Sequence, residues 1–584
     1  MRAVAASSVV EELRRAGVER GSLLALAIFS DVGVGFAGPN FSLSVATSLS
    51  DPAALVQEIE DELRPRWVEW SGETAGALVG AGVRVATAWD LVAVHRLLFG
   101  GWRADPPRVW AQVHDLPLDT IPAAGPLNLF SLPSHDEADP EGPLQPDGHL
   151  RAEWTAGGWH ATPEHLARWA ELALEVAQLQ ESRLAELANP ARAAATARAE
   201  STAELLCAEL AVDGLPLDRA IAESIVASII GERPRTEVEA AAQRGQRDGE
   251  VLRHAPPGGQ FDLRSPGQVK SLLRFVGIEV PDTRAWRLEA IRDQHPLVEA
   301  LLVWRKAERV STTYGYGWLD ENLGDSGRLR GTWSGSDGAA GRMTASAGLH
   351  NMPADMRPAV VAEPGHVFIR ADLGQIEPRV LAAVSGDPQL ARATQEPDLY
   401  APVAAQLGVD RATAKVAVLG AMYGQTTGHG AQVLPRLRSS YPVAMAYLDA
   451  GDRSGQVGQD LRTYGGRLIR MGTSNANDVG EREARSQAAA RGRYGRNALV
   501  QGAAAELFKV WAAIVRARGA AFDARIVLCL HDELLVHAPA NHAEAVAHLV
   551  DDALQEAAHR WAPNRSVRFL ADTSIIPRWS DAKD

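Results

Sequence analysis

Two hydrophobic patterns alternate along the chain: short unbroken apolar runs, and longer stretches with an apolar residue every three or four positions. The first predicts strands and the second amphipathic helices. Near the N-terminus, Leu23–Ser30 and Val83–Thr87 predict strands, and Asp90–Leu98 predicts a helix. Ser131–Gly158 contains "SLPSHDEADPEGPLQPDGH". It has many turn formers and few large apolar residues, which predicts a loop or linker. Pro163–Leu187 has helical spacing. Ala191–Ile230 is helical again, broken at "DGLPLD". In "FDLRSPGQVKSLLRFVGIEVPDT" a short extended piece leads into a helix capped near Ser265, with Pro266 in its first turn. Leu297–Thr313 predicts a further helix. Beyond Gly315 the texture changes to Gly- and Ser-rich turns between short segments, and no internal repeat is visible.

Length changes the picture first: 584 residues correspond to three or four domain-sized units. A hydrophobic share of 46% and a charged share of 23% exclude wholesale disorder. The longest aliphatic-aromatic run near the start, Leu23–Phe29, is too short to span a bilayer, and Met1–Val10 lacks a secretory pattern. No membrane association and a cytoplasmic location are therefore expected. Two cysteines, Cys207 and Cys529, exclude a disulfide framework or a four-cysteine zinc site.

Taken alone, a net charge of −14 argues against a nucleic-acid binder. Locally the balance reverses. From Arg436 to Arg518, fourteen Lys/Arg face seven Asp/Glu. Such a segment can hold a phosphate backbone, or it can be an ordinary solvated helical surface. Only five lysines occur, Lys270, Lys306, Lys415, Lys509 and Lys583, against 54 arginines. That ratio reflects coding bias and carries no mechanism.

Three segments carry candidate chemistry. In "HVFIRADLGQIEPRVLAAVSGD" an apolar strand, Val367–Ala371, ends at Asp372, and Gln375 and Glu377 open a helix. A carboxylate at a strand end suits a metal ligand in a cleft. Acids in a first helical turn are also simply favoured by the helix dipole. In "DRATAKVAVLGAMYGQTTG", Arg411, Lys415, Leu419 and Tyr423 recur every fourth residue and share a helix face. Two cations one turn apart fit a polyphosphate. The alternative is a salt-bridged surface helix, but positions 407, 408, 418 and 419 offer no acid. In "RIVLCLHDELLVHAP", strands Ile526–Leu530 and Leu534–His537 flank His531, Asp532 and Glu533, predicting a hairpin with charges at its turn. Asp372 and Asp532 are 160 residues apart, yet they meet if both strands share a sheet, and two converging carboxylates form a divalent-metal site.

In order and spacing these segments resemble motifs A, B and C of the family A DNA polymerases. "DGAAGRMTASAGLHNMP" resembles the family's segment between thumb and palm, with Arg342 at its minor-groove arginine. "RYGRNALVQGAAAELFK" resembles its template-contacting helix, matching at Arg493, Asn497 and Gln501. "FDLRSPGQVKSLLRFVGI" and "DQHPLVEALLVWRKAERVSTTY" look like its thumb. The resemblance runs from about Ala191 to the C-terminus. It implies an α/β multidomain protein, with an RNase H-like N-terminal domain followed by a right-hand polymerase. The expected layout is an exonuclease-like domain at 1–188 (131–158 a loop or linker), a thumb at 189–335, palm at 336–400 and 511–584, and fingers at 401–510.

The resemblance further implies that Asp372 and Asp532 hold two Mg²⁺ ions, with Mn²⁺ able to substitute. Arg411 and Lys415 grip the triphosphate, and Lys415 is a candidate acid for the leaving group. Gln375 and Leu419 line the nucleotide site. Tyr423 occupies the templating-base region until the fingers close. Glu377 is the steric gate against a ribose 2′-OH, and His531 and Glu533 lie beside the primer terminus. The implied partners are primer-template DNA and dNTPs, handled by a monomer associated with the nucleoid.

There are departures from the family pattern. Leu419 and Leu373 stand where the family commonly has aromatic residues, and Pro378 follows the gate. In the N-terminal part, "LLALAIFSDVGVGFAGP" has no Asp-x-Glu. Asp90 matches one exonuclease aspartate, while Trp169 and Ala173 replace the family's third-motif tyrosine and aspartate. A vestigial exonuclease fold without proofreading is expected, with no 5′ nuclease domain, in an enzyme of repair or gap filling. A phage-type RNA polymerase shares the A/B/C layout but lacks a bulky acid at the gate. A non-catalytic DNA-binding scaffold predicts loss of Asp372, Asp532 or Lys415, and all three are present.

Overall fold

The computed structural model describes residues 2–3, 8–46, 51–122, 142–256, 259–424, 429–472, 481–563 and 566–582. The chain forms two compact units. One comprises residues 1–213, 332–344 and 365–576, and the other residues 214–331, 345–364 and 577–584. The sequence-based boundary at 188/189 therefore falls before a helix, Pro190–Asp213, that belongs to the first unit. Its buried face, including Leu206, Cys207 and Leu210, lies in the same core as the strand carrying Asp372.

The first unit opens with a six-stranded sheet. Leu23–Phe29, Gly33–Gly38 and Phe41–Ala46 form an antiparallel meander. Arg2–Ala3 joins its Phe41–Ala46 edge in parallel, and Arg66–Glu69 and then Ala88–Asp90 extend the other side in parallel. Three antiparallel strands continued by parallel ones is the sheet expected of an RNase H-like domain. The helix Pro163–Ala185 lies against it. Gly35 makes that approach possible, because a Cβ there would meet the Ala167 nitrogen at 2.2 Å.

Two local expectations need correction. Val83–Thr87 is not a strand. Val83 and Val85 are buried, but the ladder to Arg66–Glu69 begins only at Trp67↔Ala88. Asp90 then caps the helix Leu91–Phe99, its carboxylate accepting from the Ala93 N–H at 2.7 Å. Of the expected loop 131–158, residues 131–141 lie outside the described residues. The remainder is ordered by burial of Leu150 and Trp154, with a short helix at Ala152–Thr155.

The second sheet positions the chemistry. Its order is Arg525–Cys529, Glu533–Pro539, His366–Leu373, Ala571–Ile576, antiparallel throughout. Helices Glu481–Gly519 and Ala543–Trp561 pack together, the Trp511 indole donating to the Val550 carbonyl at 2.9 Å. Among the described residues, only this long helix is long and apolar enough to cross a membrane, and its most apolar window is 78% buried in the protein.

The other unit is mainly helical. Arg219–Ile230, Glu237–Leu252, Pro266–Phe275 and Pro296–Thr313 are its longer helices, and Leu272, Leu297, Leu301 and Trp304 lie in its core. Ser265 precedes Pro266 as expected, but its side chain makes no capping bond.

Candidate active site

Strand periodicity fixes what the Asp372 strand displays. Phe368 and Ile369 are wholly buried. Arg370 and Asp372, two positions apart, lie on one face. Asp372 is directly opposite Glu533 on one neighbouring strand and Asp572 on the other. The Asp532 carbonyl accepts from the Leu373 N–H at 2.7 Å, and the Leu530 N–H donates to the Glu533 carbonyl at 2.8 Å, closing the hairpin turn. Two segments separated by 160 residues of sequence are thereby joined main chain to main chain.

Partial burial, reinforced by Asp532, pushes the Asp372 carboxyl up to about 6, against the opposing pull of Arg370. Partial desolvation in the cleft, with Arg342 nearby, pushes the His531 imidazole below its ordinary value. Glu533 is only 4% exposed and accepts from Arg370 Nε at 2.8 Å. Asp372 and Asp532 supply hard oxygen donors, the chemistry that suits Mg²⁺ or Mn²⁺.

The expected gate sits in a network. Glu377 Oε1 accepts from Arg342 Nη2 at 2.7 Å, and its Oε2 accepts from the Tyr423 hydroxyl at 2.7 Å. Gln501 also bonds Tyr423, whose hydroxyl is pushed up to about 12 by burial and then by Glu377. Arg342, expected at DNA, here holds Glu377. Leu373 is 2% exposed and belongs to the core, and Leu419 packs partly buried against that core. Pro378 is the third residue of the helix Ile376–Ser385, where an N–H has no intrahelical acceptor.

The helix Arg411–Tyr423 forms as expected, capped by Asp410, whose carboxylate accepts from the Thr413 N–H at 2.9 Å. Arg411 is nevertheless paired. Asp398, from the connection before the preceding helix, accepts from its Nε and Nη2. Gln375 joins the same acid, donating to Asp398 Oδ1 at 2.9 Å and accepting from the Leu399 N–H at 2.8 Å. The missing acid on the helix itself was thus an incomplete test, because the partner comes from a loop. Lys415 is exposed, with no ion pair among the described residues. At the helix C-terminus Gly424 has φ +67°, and a Cβ there would meet Arg493 Cγ at 2.8 Å. Arg493 is exposed, and Asn497 and Gln501 follow it at four-residue spacing, partly buried.

Arg379 is the residue that motif reading passed over. It is fully buried, and each of its five N–H groups has a carbonyl: Nε donates to Gly374, Nη1 to Thr394 and Arg568, and Nη2 to Glu396 and Pro397. Burial, with Arg568 close by, pushes this guanidinium down to about 10. Its one visible signal is a cation on the apolar face of "IEPRVLAAV".

Many of the basic residues of 436–518 pair with acids of the protein. Arg467 and Lys509 both bind Glu200, Arg516 binds Glu209, Arg438 and Arg496 bind Asp449, and Arg470 binds Asp460. Burial opposes the charge on Glu200, but Arg467 and Lys509 outweigh it and hold that carboxyl below its ordinary value. Arg482, Arg485 and Arg493 are exposed.

In the N-terminal domain, Glu69, Asp90 and Glu204 are neighbours. Burial, and then their mutual repulsion, pushes Glu69 and Asp90 far above the carboxylate range. Trp169 and Ala173 are core residues, Trp169 stacking on Trp70 at 4.5 Å.

The chain is similar to known proteins in sequence and in fold. DNA polymerase I of Deinococcus radiodurans is 29% identical over 377 residues, covering 56% of this chain and 37% of that protein. The thermostable DNA polymerase I of Thermus thermophilus is 29% identical over 481 residues, covering 75% and 54%. The chain thus spans about a third to a half of the length of these relatives. Among solved structures, the POL domain of Pol1 from M. smegmatis, in complex with DNA primer-template and dNTP, is similar over 100% of this chain and 99% of its own, with a TM-score of 0.70 at 20% identity. That likeness establishes a shared fold. The model of DNA polymerase family A matches residues 235–581, more than half of the sequence, and the chain belongs to that family.

Proposed function

We propose that the protein is a template-directed DNA polymerase, adding dNTPs to a primer 3′-OH without proofreading, in repair or gap filling. The observation that carries this is the sheet register joining Asp372 to the Asp532 turn. Asp372 and Asp532 would hold two Mg²⁺ ions. When bound, the metals lower the pKa of the 3′-OH and neutralise the departing pyrophosphate. The chain's own residues do the rest. Arg411 exchanges Asp398 for the triphosphate, while Lys415, which has no ion pair among the described residues, binds it and stands as the acid for the leaving group. Arg342 and Tyr423 pin both oxygens of Glu377, so the gate carboxylate is held where a 2′-OH would strike it. Exposed Arg493 and its neighbours meet the template strand.

Absence of proofreading is supported by the burial of Glu69 and Asp90 and by Trp169 and Ala173 in the core. The same proposal takes the protein as a monomer acting on nucleoid DNA in the cytoplasm. The test is primer extension with purified protein, Mg²⁺ and either dNTPs or rNTPs, alongside excision of a 3′-mismatch. Extension with dNTPs, lost below ~1% in Asp372→Ala or Asp532→Ala while DNA binding persists, is expected. A wild type that does not extend, or either variant extending like wild type, overturns the assignment.

A further inference from the structure

Arg370 stands in the middle of the carboxylate row. It is diagonal to Glu533 and Asp572 across the two flanking strands and two positions from Asp372 on its own. Its guanidinium divides among all three: Nε to Glu533 at 2.8 Å, Nη2 to Asp372 Oδ2 at 3.1 Å, and Nη1 at 3.8 Å from Asp572. The contacts differ in kind. Glu533 and Arg370 are both buried, so that pair is sealed from solvent. The Asp372 side chain is 34% exposed and that of Asp572 75%, so the arms reaching them end at the cleft.

Three carboxylates, Asp372, Glu533 and Asp572, converge around this one cation, and Asp532 adds its charge to that of Asp372. A row of this sign binds divalent ions but repels itself in their absence. A cation held permanently among the ligands offsets that repulsion, and it also competes for the oxygen a metal needs.

We propose that Arg370 is a positioning residue acting as a resident counter-cation of the metal site. Its Nε arm fixes Glu533, and its Nη2 arm occupies Asp372 until a divalent ion displaces it. Metal entry then costs the Arg370–Asp372 bond and sets a double charge beside a guanidinium. The wild type therefore binds metal more weakly than a site without this arginine. A charge-assisted hydrogen bond given up at one carboxylate corresponds to roughly tenfold in an equilibrium constant.

This inference rests on the polymerase reading and is tested apart from activity. Free Mn²⁺ is followed by electron paramagnetic resonance as it is titrated into wild type, Arg370→Ser and Arg370→Lys at pH 8, without DNA or nucleotide. Arg370→Ser should bind Mn²⁺ about tenfold more tightly, and Arg370→Lys should stay near wild type because the charge remains. Removing Arg370 strands a buried Glu533, so Glu533→Gln and the double variant Arg370→Ser/Glu533→Gln are measured as well. The double variant should exceed the single by a similar factor, isolating the Asp372 arm. Equal or weaker binding on loss of Arg370 in both backgrounds overturns the proposal. Primer extension by the wild type separates the two readings. Extension with unchanged Mn²⁺ affinity across the series defeats the counter-cation alone, and no extension by the wild type defeats the polymerase reading and the inference that rests on it.

Discussion

Replacing Arg379 by Lys tests how the turn after Asp372 is held. Arginine has five N–H groups and meets five carbonyls here. Lysine has three, all on one nitrogen, so at least two carbonyls lose their donor. A buried polar group left unsatisfied costs about 1–3 kcal/mol. Several of these carbonyls are only partly buried, which favours the lower half of that range, so the loss should be about 2–3 kcal/mol. Charge is retained, so the effect reads the geometry of the fork. The consequence extends to the site. Gly374 follows Asp372 by two residues, and Pro397 precedes the acid that holds Gln375 and Arg411. Urea titration followed by tryptophan fluorescence measures the first effect, as a lower midpoint at unchanged slope. Primer extension well below the unfolding transition measures the second, and a loss of about tenfold or more is expected. A stability change under ~1 kcal/mol with unaltered extension would refute the clamp.

Three further outcomes are expected. Glu377→Ala should lower the dNTP/rNTP ratio of kcat/KM by admitting ribonucleotides, and it should also release Arg342 and Tyr423; an unchanged ratio places the gate elsewhere. Leu419→Phe should lower the dNTP KM with kcat nearly constant, since a ring packs against substrate and transition state alike; steady-state kinetics showing an equal or higher KM would mean the aromatic is not missed. Burial pushes Glu506 up to about 7, although Thr463, Arg467 and Gly465 favour its charge. A raised carboxyl pKa makes the folded state hold a proton that the unfolded chain has released. That contribution is complete below the ordinary glutamate value and is lost as pH rises through about 7. Stability should thus fall between roughly pH 4.5 and 7, and Glu506→Gln should flatten that slope in denaturation series.

The Asp372 strand, the hairpin and the cation helix were legible because each is a local pattern: an apolar run ending in an acid, charges between two apolar runs, and a four-residue repeat. The Ala88–Asp90 strand was misplaced because Val83 and Val85 advertise burial, which is not the same as pairing. What remained hidden is whatever depends on partners remote in sequence. Counting charges over 436–518 could not show that Glu200 and Glu209 sit on another helix, ready to neutralise Arg467, Lys509 and Arg516. Nor could a search of one helix find Asp398 for Arg411. Arg370 and Arg379 look like ordinary charged positions until the sheet and the turn surround them.

Strand order also has a consequence for biosynthesis. The Asp372 strand is flanked on both sides by strands made later, Glu533–Pro539 and Ala571–Ile576. At roughly 5–20 residues per second, it waits about 10–30 s on the ribosome for the first of them and longer for the second. Through that interval Phe368, Ile369 and Ala371 form an unpaired apolar strand, the kind of segment that recruits neighbouring nascent chains. Arg370 and Asp372 interrupt that run with opposite charges on a single face. The side chains proposed for the metal site are thus placed as charged gatekeepers on an apolar strand that must wait for both of its partners.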